Sequence, residues 1–329
     1  MSPGNPDYCP SCSVVICTRD RPAALERCLR ALKEVRYPHF EVVVVDNAPS
    51  DAGTRELAQQ YGAKYVLARV PGLSHARNLA ARACETEVLV YLDDDAVPEA
   101  GWLGALASEF QDPKVMAVVG RCVPMNVETE AERLWVKVYG PGFGVKDRLV
   151  LDRTVPDWFE YANFGGVGTG GNMALRRTAF KIWPGFDERL GRGMPLDGGE
   201  ENHAFFSLVH RGYKIVGTPV AVVRHPCPQT LDALRSRKLK DRAASVGYLF
   251  ALMVEGRGYR LRTLRYVFRK LRGHGLPWNQ GQLSPALVPR WRLFLAQLRG
   301  PWLYLLSSLK VARRSTVPLE EPVAGGLLR

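Results

Sequence analysis

Val88-Leu89-Val90-Tyr91-Leu92-Asp93-Asp94-Asp95-Ala96-Val97-Pro98 is the stretch on which the reading of the fold turns. Five consecutive apolar or aromatic residues, Val88 to Leu92, suit a strand buried on both faces, and the run stops at three carboxylates. Adjacent acids repel one another and are costly to desolvate without a cation, so the trio suits a divalent metal site. Side chains alternate along an extended chain, so Asp93 and Asp95 can face one ligand while Asp94 faces away. Hard oxygen donors favour magnesium or manganese shared with substrate phosphates. The competing reading is an acidic turn that caps the following helix.

Upstream, Ser13 to Cys17 reads as a first buried strand, with Pro22 starting a helix whose Leu25, Leu29 and Leu32 form an apolar stripe. Glu41 to Val45 is a second strand, Gly53 to Tyr61 a helix, Lys64 to Ala68 a third strand, and Pro71 to Ala80 a loop entering a helix. Downstream come a helix from about Trp102 to Phe110 and a strand Val115 to Val119. Strands alternating with helices at this spacing predict an α/β fold: a mainly parallel, Rossmann-like central sheet flanked by helices. Ligands of such sheets bind beyond the carboxyl ends of the strands, which groups Thr18 to Arg21, Asp46 and Asp93 to Asp95 around one crevice. No Gly-x-Gly-x-x-Gly follows the first strand and no Gly-x-x-x-x-Gly-Lys occurs, which argues against dinucleotide redox chemistry and P-loop hydrolysis.

Six fragments in order carry a more specific signal: Val15-Ile16-Cys17-Thr18-Arg19-Asp20-Arg21, Val44-Val45-Asp46-Asn47, Ala76-Arg77-Asn78, Leu92-Asp93-Asp94-Asp95, Gly170-Gly171-Asn172-Met173 and Gly199-Glu200-Glu201. With them the chain resembles an inverting family 2 glycosyltransferase of the GT-A fold, from about Ser13 to Pro228. The resemblance implies a nucleotide pocket at Thr18, Arg19, Arg21 and Asp46, with the Asp46 carboxylate accepting from a uracil imide and UDP-sugar as the donor. The family's Asp-Asp-Gly-Ser is here Asp46-Asn47-Ala48-Pro49, which loosens the choice of base. It further implies Arg77 near the nucleotide, Asp93 and Asp94 in contact with it, and Asp95, then Asp93, as ligands of Mn2+ or Mg2+.

Gly170, Gly171, Asn172 and Met173 correspond to the element placed beside donor sugar and acceptor, and Ala174 to Arg177 reads as a helix start. Two acids after Gly198-Gly199 fall at a helix N-terminus, where they are either partners of the helix dipole or a general base. The family reads Glu-Asp there; this chain has Glu200-Glu201, with Glu201 favoured as the base and Glu200 as a sugar or acceptor contact. Tyr213 to Val216 and Val220 to Val223 read as two strands. His225 after them is either a structural side chain or a third metal ligand.

Charge divides the chain near residue 230. Residues 231–316 hold 18 Lys or Arg against three acids, so the net charge of +12 belongs to a C-terminal extension, 230–329, rather than to the catalytic segment 1–229. Arg257, Arg260, Arg262, Arg265, Arg269 and Arg272 interleave with apolar residues, and Trp278, Trp291, Phe294, Trp302 and Tyr304 add aromatics. That segment suits either an anionic membrane surface or a helical cap with a solvated basic face. No nucleic-acid-binding module accompanies the charge. Seven cysteines, an odd number with a lone Cys9-x-x-Cys12, favour a reducing compartment over a disulfide scaffold or a zinc site. No secretory leader and no apolar run near 20 residues is apparent, so the expected location is cytoplasmic, with the inner face of a membrane as a docking place.

The function expected is metal-dependent, inverting transfer of a sugar to a hydroxyl acceptor, on a polysaccharide or lipid-linked glycan. A sugar-phosphate nucleotidyltransferase would want a glycine-rich loop after strand one, which Thr18 to Pro22 lacks. A non-catalytic nucleotide-sugar binder would leave both acidic clusters without a task.

Overall fold

The computed structural model describes residues 8–140, 142, 144–271 and 287–315. In chain order the elements are β1 (Cys12–Thr18), α1 (Pro22–Leu32), β2 (Phe40–Asn47), α2 (Gly53–Gln60), β3 (Lys64–Ala68), α3 (Leu73–Ala83), β4 (Val88–Asp93), β5 (Val97–Pro98) and α4 (Trp102–Ala107). They continue as β6 (Val115–Pro124), α5 (Glu130–Tyr139), β7 (Leu149–Leu151), α6 (Trp158–Asn163), β8 (Asn172–Arg176), α7 (Ala179–Ile182), α8 (Glu200–His210) and β9 (Lys214–His225). Three helices close the chain: α9 (Leu231–Glu255), α10 (Arg260–Leu271) and α11 (Arg290–Ser315). Arg272, Trp278 and the tail 316–329 lie outside the described residues.

One sheet runs β3-β2-β1-β4-β8-β6-β9-β5, with β7 beside β9. Its first four strands are parallel, in register Thr18 with Asp46 and Cys17 with Asp93, so three strand ends open at one rim. Alternation along these strands feeds two cores. Val15, Val43, Val45, Leu89 and Tyr91 pack on one face with residues of α3, α6, α8 and α9. Val14, Ile16, Val44, Val88, Val90 and Leu92 pack on the other with α1 and α4. Covered on both faces, β4 is apolar and buried from Val88 to Leu92, as its sequence suggested.

Two elements differ from the sequence reading. Ala174 to Arg177 does not start a helix: β8 lies antiparallel between β4 and β6, and Met173, Ala174 and Leu175 are fully buried there. Burial between two strands overrides the helical preference of Ala-Leu-Arg-Arg. The two strands expected at 213–223 are one, β9, which crosses Gly217 to Pro219 with a register irregularity against β6. Asn172 fills that irregularity, its amide donating to Ala221 O at 2.9 Å and Arg121 O at 3.1 Å while its oxygen accepts from Trp102 Nε1 at 2.8 Å.

The C-terminal helices are not peripheral to the core. Ala244, Tyr248, Ala251 and Leu252 of α9 and Tyr304 of α11 belong to the same apolar cluster as the sheet. No described helix is long and apolar enough to cross a membrane.

Candidate active site

The acid-tipped strand divides its three carboxylates by direction. Asp94 turns inward: Thr18 Oγ1 donates to Oδ2 at 2.7 Å and Arg21 Nη1 to Oδ1 at 2.6 Å. The other arm of the same guanidinium reaches Asp95 Oδ2 at 2.6 Å, so Arg21, just ahead of Pro22 and α1, braces two acids with one planar fork. Asp93 Oδ2 and Asp95 Oδ1 face His225 Nε2 at 3.3 and 3.1 Å.

The electrostatics follow from this placement. Burial pushes Asp94 up to about 6 against the pull of Thr18 and Arg21. Burial acts the same way on Asp95, but the hydrogen bond and charge of His225, with Arg21, outweigh it and hold the carboxyl below its usual range. Burial would strip His225 of its proton, yet its hydrogen bonds to Asp93 and Asp95 and their charges raise it to about 10. Two carboxylates this close demand positive charge, which Arg21 supplies together with either a protonated His225 or a cation held in place of its proton.

Asp93, Asp95 and His225 each offer one ligand atom, all within 4.8 Å of one another. Two hard oxygens and an imidazole nitrogen make a donor set that fits a divalent cation and leaves its remaining positions to substrate oxygens. Among the described residues no cluster of three such groups forms at Cys9 and Cys12; Cys9 is exposed and Cys12 is buried in β1.

Around this trio lies a cavity of about 770 Å³ lined by Thr18, Arg19, Arg21, Asn47, all three aspartates and His225. Asp46 sits behind Asn47, fully buried at the tip of β2. Tyr65 donates its hydroxyl to Asp46 Oδ2 at 2.9 Å, and Oδ1 has no hydrogen-bond partner. A buried acceptor without a donor is unfavourable; Asp46 itself does not line the cavity, whose wall here is its neighbour Asn47.

A second cavity, about 590 Å³, adjoins the first and shares Leu73, Asp93, Arg192, Ala233 and Arg237 with it. Gly170, Gly171, Glu200 and Glu201 line it. Both glutamates occupy the first turn of α8, which Gly199 starts in the left-handed region at φ 93°. Glu200 is buried; Arg77 Nη1 donates to its Oε1 at 3.1 Å, while Oε2 has no partner. Glu201 is raised to about 8, by burial first and then by the charge of Glu200. A carboxyl so tuned exchanges its proton near neutrality, as a general base does.

Arg77 is buried within α3 and lines the second cavity, not the first. Its second arm donates to Gly170 O at 3.0 Å, and its guanidinium lies over the Phe186 and Tyr91 rings at 5.4 and 5.9 Å. It thereby ties the glycine loop to Glu200. Gly171 leaves no room for a side chain, since a Cβ there would collide with the Asp93 carboxylate. Asn172 and Met173 are buried in β8, away from solvent.

Four contributors to the second cavity escape a reading of the sequence: Arg192, Arg237, Tyr248 and Tyr266. Arg192 stands between two glycines, a local signal; the others sit in helices whose docking only the fold reveals. Tyr248 donates to Asn163 Oδ1 at 2.7 Å, joining α9 to α6 across the cavity wall.

A model described as glycosyl transferase family 2 matches residues 13–183. The pre-mycofactocin glycosyltransferase of Mycobacterium tuberculosis (strain ATCC 25618 / H37Rv) is 26% identical over 216 residues, 65% of this chain and 42% of that protein. The O-antigen biosynthesis protein RfbC of Myxococcus xanthus is 30% identical over 194 residues, 55% of this chain and 15% of that protein. The chain thus spans less than half the length of these curated relatives. Among solved structures, the mannosyltransferase PcManGT from Pyrobaculum calidifontis, in complex with GDP-Man and Mn2+, matches with a TM-score of 0.56 over 96% of this chain and 78% of that one, at 20% identity. That likeness bears out the expected GT-A architecture.

Proposed function

From the premise that the chain belongs to glycosyl transferase family 2, we propose that it moves a sugar from a nucleoside-diphosphate donor to a hydroxyl acceptor with inversion at the anomeric carbon. The observation that carries this reading is the sharing of Asp93 between two adjoining cavities, one holding the Asp93, Asp95, His225 trio and the other Glu201.

Asp93, Asp95 and His225 would hold Mn2+ or Mg2+, the imidazole favouring manganese. When bound, the cation supplies charge stabilisation to a departing diphosphate. Glu201 takes the proton of the acceptor hydroxyl as its oxygen bonds to the anomeric carbon and the bond from that carbon to the diphosphate oxygen breaks. Glu200, fixed by Arg77, keeps Glu201 basic through its charge and contacts the sugar or acceptor. Thr18 and Arg21 hold Asp94 toward the protein, and Arg19, which lines the first cavity, would meet the donor phosphates. The donor we infer is a UDP-sugar, its base set against the end of β2 where Asn47 lines the first cavity and Asp46 lies buried next to it; a guanine base would suit the same acidic strand end, and the PcManGT structure contains GDP-Man.

The acceptor we infer is a glycan hydroxyl on a polysaccharide or a lipid carrier, a reading supported by the O-antigen biosynthesis relative. All seven cysteines are free, which supports a cytoplasmic location. The experiment is a panel of UDP- and GDP-sugars incubated with Mn2+ and acceptor glycans, with proton NMR of the product. Turnover giving the opposite anomer is expected; retention of configuration, or release of pyrophosphate from a nucleoside triphosphate and a sugar phosphate, overturns the proposal.

A further inference from the structure

Helix α11 wears its faces inside out. The side packed on the protein carries Ala296, Gly300, Tyr304 and Ser307, all buried, with Gly300 backbone to backbone against Gly247 of α9. Ser307 Oγ accepts from Leu196 N at 2.9 Å, which fixes the helix azimuth. The opposite side carries Trp291, Phe294, Leu298, Trp302, Leu305 and Leu309, which are between 44% and 64% exposed. At spacings of three and four these six form one continuous stripe. A lone exposed leucine needs no explanation, but an uninterrupted apolar stripe on a soluble surface marks a contact with something apolar.

The charge beside the stripe selects the partner. Arg292 and Arg299, seven residues apart and exposed, run along one rim, and α11 contains no Asp or Glu. A second copy meeting this face across a two-fold axis would bring cationic rims together. An anionic lipid layer instead offers apolar depth for the stripe and negative charge for the rim. On such a layer the helix would lie in the plane, since no described helix is long and apolar enough to span one. Helix α10 repeats the theme, with Leu261 and Phe268 exposed beside Arg265 and Arg269.

We propose that the outer face of α11 docks the protein on an anionic bilayer surface. The far end of the same helix holds the active-site loops: Lys310 Nζ donates to Gly193 O at 3.2 Å and Arg314 Nη2 to Pro71 O at 2.6 Å. Gly193 and Leu73 line the first cavity, so docking sets the orientation of the cleft relative to the lipid plane.

The test is co-sedimentation of the full chain with vesicles of phosphatidylcholine alone or mixed with phosphatidylglycerol, without donor or acceptor. Binding is expected only to the mixed vesicles and weakens as salt rises. Brominated acyl chains are expected to quench tryptophan emission, because Trp291 and Trp302 are exposed at the stripe. Trp291→Ser with Trp302→Ser lowers vesicle affinity by more than about tenfold, and Arg292→Gln with Arg299→Gln lowers it on the order of tenfold. Both variants keep the wild-type melting temperature and its shift with Mn2+ and a nucleoside diphosphate, so loss of lipid binding is read apart from loss of the donor site. Equal binding to neutral vesicles, unchanged binding by the stripe variant, or a stripe-dependent dimer in lipid-free solution overturns the proposal.

Discussion

Glu201 offers the sharpest test of the chemistry. Burial and the neighbouring charge of Glu200 raise it well above the usual carboxylate range, toward the pH at which the enzyme would work. A base acts only when ionised. Transfer therefore rises with pH at unit slope through the raised titration of Glu201 and flattens above it, with the plateau well above the ordinary carboxylate range. Replacing Glu201 by Gln keeps the side-chain shape and removes the proton acceptor; kcat falls by roughly 10²–10⁴ and the donor KM holds, because Glu201 lines the acceptor-side cavity. The assay is nucleoside diphosphate release in Mg2+ from pH 6 to 9.5, with wild type and Glu201→Gln in the same buffers. A flat profile over that range, or a Gln variant within tenfold of wild type, refutes the assignment.

Further outcomes follow from single contacts. Arg77→Met leaves the Glu200 carboxylate buried beside an apolar chain and lowers stability by about 3–5 kcal/mol in urea unfolding; Arg77→Lys, lacking the fork that also reaches Gly170 O, recovers only part. Gly171→Ala drives a methyl into the Asp93 carboxylate, so the Mn2+-dependent thermal shift shrinks while circular dichroism stays native. His225→Ala removes one of three ligands and weakens Mn2+ binding by roughly 10–100-fold, measured by calorimetry.

The first half of the site was legible because a buried parallel strand writes itself as an unbroken apolar run, and Asp93 to Asp95 sit where that run stops. Period-2 reasoning also anticipated that Asp94 would turn from the side Asp93 and Asp95 share. Where long-range packing decides, the sequence was silent or misleading. Ala174 to Arg176 has helical composition and becomes a strand because β4 and β6 need a partner between them. The resemblance puts Arg77 near the nucleotide, but that it is buried under aromatic rings shows only once α3 is docked. The contribution of α9 to the second cavity rests on Gly247 meeting Gly300 and Tyr248 meeting Asn163, pairs separated by more than fifty residues that no local pattern announces.

Asp93, Asp95 and His225 would together grip the cation that neutralises a departing diphosphate. Calorimetric titration of Mn2+ into the protein with saturating nucleoside diphosphate, wild type against Asp95→Ala, measures it directly. The account predicts a single wild-type site and at least a tenfold loss of affinity in the variant. Equal affinity in the two proteins would contradict it.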